Sequence, residues 1–170
     1  MRFFIITVLY FTCCPPVFAQ TKMDKTLKKF NKESVPYIKV DALNGMNHVV
    51  LLDAREKEEY EVSHLKNAIW VGAKTFDLDS VVPKIEDKNT EIIVYCSIGV
   101  RSENIGEKLM DAGYPNVKNL YGGIFEWKNE GHAVYNPEGN ETEKVHAFNK
   151  HWGKLLKKGE KVYGAADGGP

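Results

Sequence analysis

At 170 residues, with 23 Lys and Arg against 23 Asp and Glu, the chain has room for one domain with a real core and little more. The basic residues are scattered rather than clustered, which argues against an electrostatic footprint for nucleic acid or for an anionic membrane. Function is therefore to be sought in a localised site.

The opening MRFFIITVLYFTCCPPVFAQ carries Arg2, an apolar run from Phe3 to Thr12, a Pro15-Pro16 break and the small residue Ala19 before Gln20. That order is the pattern of an export signal, residues 1–19, cleaved after Ala19. The prolines cut the apolar run short of the roughly 20 residues a spanning helix needs. The expectation is a mature protein starting at Gln20, exported to a periplasm in the first instance or to another secreted space, with no stable membrane span. A lipid on Cys13 or Cys14 fits less well, because Phe11 and Thr12 stand where small residues are needed. Loss of the signal removes Cys13 and Cys14 and leaves Cys96 as the sole thiol. An internal disulfide, a CxxC redox pair and a cysteine-based structural zinc site are then excluded.

Residues 20–33 form a polar leader, solvated or at most a short frayed helix. VPYIKV (35–40) predicts a short strand, and DALNGM a helical turn ending near Gly45. HVVLLDA (48–54) is a continuous apolar run of the kind a strand buried on both faces shows. REKEEYEV places charges at helical spacing, NAIWVG is a further strand, and the helical pattern of Phe76, Leu78, Val81, Val82 and Ile85 is interrupted by Pro83. EIIVYC (91–96) is the most strand-like segment. Ile105, Leu109 and Met110 share a helical face that Gly113 terminates as a left-handed cap. VKNLY (117–121) is a strand, Gly122-Gly123 a tight turn and IFEWKNEG a short helix. Alternation of strand and helix about five times predicts an α/β fold with a parallel sheet of about five strands and helices on both faces. Beyond it, Val145, Phe148, Trp152, Leu155 and Leu156 predict a docked C-terminal amphipathic helix, and AADGGP a disordered end.

In such sheets sites lie at the C-terminal ends of strands, and Cys96 is at one. Between a strand ending at Tyr95 and a helix starting near Ser102, CSIGVRS must curl tightly, which Gly99 permits. The curl points successive N–H groups inward as a nest beside the positive end of a helix. A thiolate there has its pKa lowered from the ordinary value of roughly 8.5. A persulfide anion and a tetrahedral oxyanion are both served, so the nest alone does not select a reaction. The loop from Cys96 to Arg101 has six residues, one fewer than the CxxxxxR signature of cysteine phosphatases, and Tyr95 stands where that signature has histidine. A smaller ring fits a sulfur and crowds a phosphate.

Three blocks, LLDAREKEEYEVSHLKNA (51–68), YCSIGVRS (95–102) and AGYPNVKNLYGGIFEWKNEGHAV (112–134), in this order and spacing, resemble the rhodanese-like sulfurtransferase family. The resemblance covers residues 34–135 and leaves 136–170 as an extension. It implies a rhodanese-like α/β domain and a sulfurtransferase that moves a sulfane sulfur, from thiosulfate or a similar small-molecule donor, to a thiol, cyanide or protein acceptor. It also implies Cys96 as nucleophile and persulfide carrier without a cofactor, and a loop of Ser97, Ile98, Gly99, Val100 and Arg101 whose amides cradle the outer sulfur. Arg101 is expected to pin the loop to an acidic neighbour, with Asp53 and Arg55 as the ionic supports. His64 matches the family's turn histidine and reads as a hydrogen-bonded structural residue.

Ser63, Lys66 and Asn67 depart from the family's glycine and proline positions, although Asn67 accepts a left-handed conformation. Ser97, Ile98 and Val100 leave the loop nearly uncharged, which opens the donor's identity and admits an alternative, a persulfide carrier or regulatory module with little turnover. His48, His132, His146 and His151 lack metal-ligand spacing, so no metal is expected. Phe125 and Trp127 are read as core beneath the closing turn. Neither the oligomeric state nor the natural donor and acceptor is encoded in these motifs.

Overall fold

The computed structural model describes residues 20–85 and 87–164; the expected signal at 1–19 and the expected disordered end at 165–170 lie outside them. The short apolar runs become β1 (Tyr37–Ile38), β2 (Val49–Asp53), β3 (Ile69–Trp70), β4 (Glu91–Tyr95) and β5 (Val117–Leu120), which form one parallel sheet in the order β1-β5-β4-β2-β3. β4 is central. It pairs with β2 from Val49↔Glu91 to Asp53↔Tyr95 and with β5 from Ile92↔Val117 to Val94↔Asn119.

Burial on both faces is why β4, from Ile92 onward, reads as an unbroken apolar run rather than an alternating one. Its residues divide with the two-residue period of a strand. Ile93 and Tyr95 join a core with Met23, Leu27, Leu43, Leu120, Ile124 and Phe125, supplied by α1 (Lys22–Phe30), α2 (Val40–Asn44), α6 (Gly123–Asn129) and β5. Ile92, Val94 and Cys96 join the other core with Val81, Ile105, Leu109 and Val117, supplied by α4 (Leu78–Val81), α5 (Arg101–Asp111) and β5. A six-residue α3 (Lys57–Val62) follows β2. Pro83 lies in a 3-10 turn, Val82–Lys84, that ends α4, and Gly113 follows α5 with φ 86°.

Of the two forms expected for residues 20–33, a solvated leader or a short frayed helix, the structure shows a helix, and it is capped and docked rather than frayed. Thr21 and Asp24 form a reciprocal capping box, so two otherwise unpaired N–H groups are satisfied at the start of α1. Met23 and Leu27, one turn apart, are 5% and 2% exposed, and Asp24 also accepts the Tyr121 hydroxyl. Two buried anchors at i and i+4 are enough to dock a helix whose other positions are mostly lysine.

The expected amphipathic helix over 145–156 is not formed. β6 (Val134–Tyr135) pairs antiparallel with β7 (Glu141–Thr142), and β8 (Lys144–His146) pairs parallel with β9 (Glu160–Val162). Between β8 and β9 lie turns and a 3-10 segment, Trp152–Lys154. Val145 and Ala147 enter the core two residues apart, as in a strand, and Leu156 returns to it. Asn149 is the breaker: its Oδ1 accepts the N–H groups of His151 and Trp152 at 2.9 and 3.1 Å. Such side-chain bonding competes with a helix. Phe148 adopts φ 63°, which no helix continues.

Candidate active site

Cys96 directly follows β4 and is 1% exposed. The loop after it is tied from outside through its carbonyl groups. Ile124 N–H donates to Cys96 O at 3.0 Å and Phe125 N–H to Ser97 O at 3.1 Å, both from the start of α6. Gly99 O accepts Asn119 Nδ2 at 2.7 Å and Asn31 Nδ2 at 2.8 Å. In a planar trans peptide the C=O and N–H point opposite ways, so the N–H groups of Ser97, Ile98 and Val100 face away from these partners. Gly99 N–H donates to Cys96 Sγ at 3.1 Å.

Two glycines make this geometry. Gly99 has φ 106°, and a Cβ there would meet Leu120 O at 3.2 Å. Gly123 has φ 53°, and its Cβ would fall 2.2 Å from Cys96 O and 2.8 Å from Ser97 O. The double glycine expected to be a tight turn thus also lets the backbone of α6 reach the cysteine loop.

Arg101 does pin the loop to an acid, but the acid is Glu59 on α3 rather than Asp53. Its Nη1 and Nη2 donate to Glu59 Oε2 and Oε1 at 2.6 and 2.9 Å, and Nη2 also donates to Ser97 Oγ at 2.9 Å. Ser97 Oγ donates to Glu59 Oε1 at 2.9 Å. Burial pushes the Glu59 carboxyl up, but the hydrogen bonds and charge of Arg101, helped by Arg55, hold it below its ordinary value. Burial likewise pushes the Cys96 thiol up. The Arg101 charge and the N–H groups of Ser102 and Gly99 outweigh this and leave the thiol below its ordinary value. Arg101 therefore both pins the loop and favours the thiolate.

Asp53 and Arg55 pair with each other instead. Both side chains are fully buried, with Arg55 Nη2 at 2.6 Å from Asp53 Oδ2, and Arg55 Nη2 donates to Ser63 O at 2.6 Å. They fix the chain after β2 and so the approach to α3, on which Glu59 stands. His64 stacks on Tyr60 at 4.0 Å, places Nδ1 3.1 Å from Tyr60 O, and bridges to Tyr135 through its backbone. Those are structural contacts. Asn67 takes φ 60°, and Phe125 is buried while Trp127 donates to Ala133 O at 2.9 Å.

Above the thiol is a small cavity of about 130 Å³, lined by Cys96, Ser97, Ile98, Arg101, Phe148 and Trp152. Sequence reasoning places Phe148 and Trp152 on a packing stripe, and it passes over Glu59, Asn31, Ser102 and Asn119. Ser102 Oγ donates to Asn119 Oδ1 at 2.8 Å, which orients the amide that holds Gly99 O. Glu59 lies inside the block 51–68; its sign, opposite to that of the loop's only cation, is the available signal.

The rhodanese-like domain family model matches residues 39–130. A tRNA uridine(34) hydroxylase of Pectobacterium atrosepticum is 34% identical over 111 residues, 61% of this chain and 31% of that protein. The adenylyltransferase and sulfurtransferase UBA4 of Candida albicans is 31% identical over 129 residues, 73% of this chain and 28% of that protein. The chain thus spans less than a third of the length of these curated relatives. Among solved structures, a thiosulfate sulfurtransferase from Pseudomonas aeruginosa superposes with a TM-score of 0.55 at 25% identity, covering 74% of this chain and 24% of that one. A rhodanese-related protein from Thermoplasma volcanium gives 0.51 at 26% identity, covering 58% and 96%. A central five-stranded parallel sheet, a cysteine loop at the end of its middle strand and a family match over more than half the sequence lead to one conclusion: the chain belongs to the rhodanese-like domain family.

Proposed function

We propose that the protein transfers sulfane sulfur through a persulfide on Cys96. The observation that carries this reading is the Gly99 N–H at 3.1 Å from Sγ, in a six-residue loop tied outward by its carbonyl groups, where a second sulfur bearing one negative charge is stabilised by fixed donors and a helix start. In the first step the Cys96 thiolate attacks the outer sulfur of a donor such as thiosulfate. An Sγ–S bond forms, the donor's S–S bond breaks, and its electron pair leaves with sulfite. In the second step an acceptor thiolate or cyanide attacks the outer sulfur, and the Cys96 thiolate departs. The sulfurtransferase names carried by the Candida and Pseudomonas proteins support this chemistry.

Cys96→Ser is the test: thiosulfate:cyanide activity and the mass gain of one sulfur are both expected to vanish, and full retained activity would overturn the reading. A second reading, a persulfide carrier with little turnover, is favoured by the neutralisation of Arg101 by Glu59. Sulfur loading on Cys96 with negligible onward transfer would select it. We also propose export, to a periplasm first, with residues 1–19 as the cleaved signal; N-terminal sequencing of the exported protein is expected to begin at Gln20. No helix among the described residues is long and apolar enough to cross a membrane.

A further inference from the structure

The cavity over Cys96 is lined in part by two aromatic residues from beyond the matched domain. Phe148 and Trp152 follow β8 and line the same space as the thiol, whereas the family match ends at residue 130. Phe148 is held with φ 63°, a conformation unfavourable for a bulky residue, yet it keeps 38% of its surface in solvent. Strain of this kind persists only where the surroundings impose it, and it gathers at ligand clamps. Here the surroundings are identifiable: Phe148 N–H meets His146 Nδ1 at 3.2 Å, Asn149 N–H meets Ala147 O at 2.8 Å, and the Asn149 side chain caps the following turn. The ring is thereby set with the Arg101 guanidinium 5.1 Å from its centroid. Trp152 packs edge to face with Phe30, ring centroids 5.4 Å apart.

The charge of the cavity is as particular as its shape. Among the described residues its lining contains one cation, Arg101, and that cation is tied in bidentate fashion to Glu59, which is 2% exposed. The remaining lining side chains are Cys96, Ser97, Ile98, Phe148 and Trp152, none basic. The loop amides accommodate a single negative charge on the sulfur being transferred. A second charge on the donor, as in the sulfonate of thiosulfate, meets aromatic and aliphatic surface with no unpaired cation among the described lining residues, an unfavourable desolvation.

We infer that Phe148 and Trp152 are specificity-determining residues, and that the site takes an organic sulfane donor, an apolar body bearing a terminal sulfane sulfur and one negative charge, in preference to thiosulfate. The inference rests on the persulfide reading of Cys96 and adds the donor class to it. For an organic thiosulfonate, the Cys96 thiolate bonds to the terminal sulfur, the bond from that sulfur to the sulfonyl sulfur breaks, and the electron pair leaves with the sulfinate. Cys96 is left as a persulfide anion, and no external oxidant or reductant is needed.

The full chain is to be compared with three donors: thiosulfate, methanethiosulfonate and benzenethiosulfonate. The last two share charge and reacting group and differ in the apolar body. Initial rates of sulfur loading on Cys96, read by mass, are expected to favour benzenethiosulfonate over methanethiosulfonate by about tenfold, equivalent to about 1.4 kcal/mol and in keeping with one good aromatic contact. Thiosulfate is expected to be the slowest of the three. In Phe148→Ala and in Trp152→Ala the benzene-to-methane ratio should fall toward one, and Trp152→Phe should restore part of it. Because the ratio is taken on one preparation, loss of folded protein cancels from it. A ratio near one in the unaltered chain, or a ratio that survives both alanine variants, overturns the inference and leaves persulfide chemistry standing. Loading from none of the donors overturns both.

Discussion

Arg101 and Glu59 are joined by two hydrogen bonds of 2.6 and 2.9 Å across the gap between α5 and α3. The pair fastens the cysteine loop to an element that follows a different strand of the sheet. It also sets the charge felt by Cys96, because the guanidinium that favours the thiolate is itself balanced by a carboxylate. Stability and reactivity therefore meet in one ion pair.

The thiol should ionise early. Cys96 lies below its ordinary value, so the pH midpoint of its alkylation by iodoacetamide is expected below the roughly 8.5 of a free cysteine. Arg101→Gln should move that midpoint up. A thiol pKa lowered by folding contributes stability above the unfolded pKa, and that contribution is lost as pH falls through the folded value. A midpoint at or above the free value would remove the electrostatic basis of the site.

Glu59→Gln should separate the two roles of the pair. With the carboxylate gone, Arg101 acts on Cys96 unbalanced, and the alkylation midpoint should drop below that of the unaltered protein. The fold should lose on the order of 2–3 kcal/mol, less than a wholly buried pair because Arg101 keeps some exposure. Since folding lowers the Glu59 pKa, its contribution is present above the ordinary carboxylate value, near roughly 4.3, and is lost as pH falls through the lower folded value. Urea midpoints across that acidic range should show the loss in the unaltered protein and not in the variant.

Asp53→Asn leaves Arg55 charged and fully buried beside a neutral amide. A destabilisation of about 3–5 kcal/mol is expected, read as a fall in the urea midpoint. A change under about 1 kcal/mol would mean that the pair has little structural role.

Gly123→Ala places a methyl group 2.2 Å from the Cys96 carbonyl oxygen, at a φ of 53°. Neither backbone moves without disturbing the loop. A loss of about 2–3 kcal/mol is expected from strain and displacement, together with a slower alkylation of Cys96 as Gly99 N–H loses alignment with Sγ.

Much of the sheet was legible because a central strand buried on both faces must be apolar along its buried length, and residues 92–96, IIVYC, are. The cysteine loop was legible for a related reason: a cysteine, a glycine and an arginine between strand and helix leave few geometries. The partner of Arg101 was not, since Asp53, Glu56, Glu58 and Glu59 are equivalent in charge and only folded geometry distinguishes them. In the stretch from Val145 to Leu156, five apolar residues happen to fall at helical spacing. The side-chain acceptor of Asn149, which outcompetes the helix, adds nothing to a count of apolar positions. α1 is hard to read because two anchors among five lysines in residues 20–33 give a faint stripe.

The carbonyl of Gly99 is gripped by Asn31 from one end of the chain, and the roof over the thiol comes from Phe148 and Trp152 near the other. A trimmed version cut to residues 34–135 would keep Cys96 and the amides of its loop but shed a brace and both aromatic walls. Any activity measured on it would describe the shared chassis of the family rather than this protein, and comparisons between relatives are best made with their flanking segments left in place.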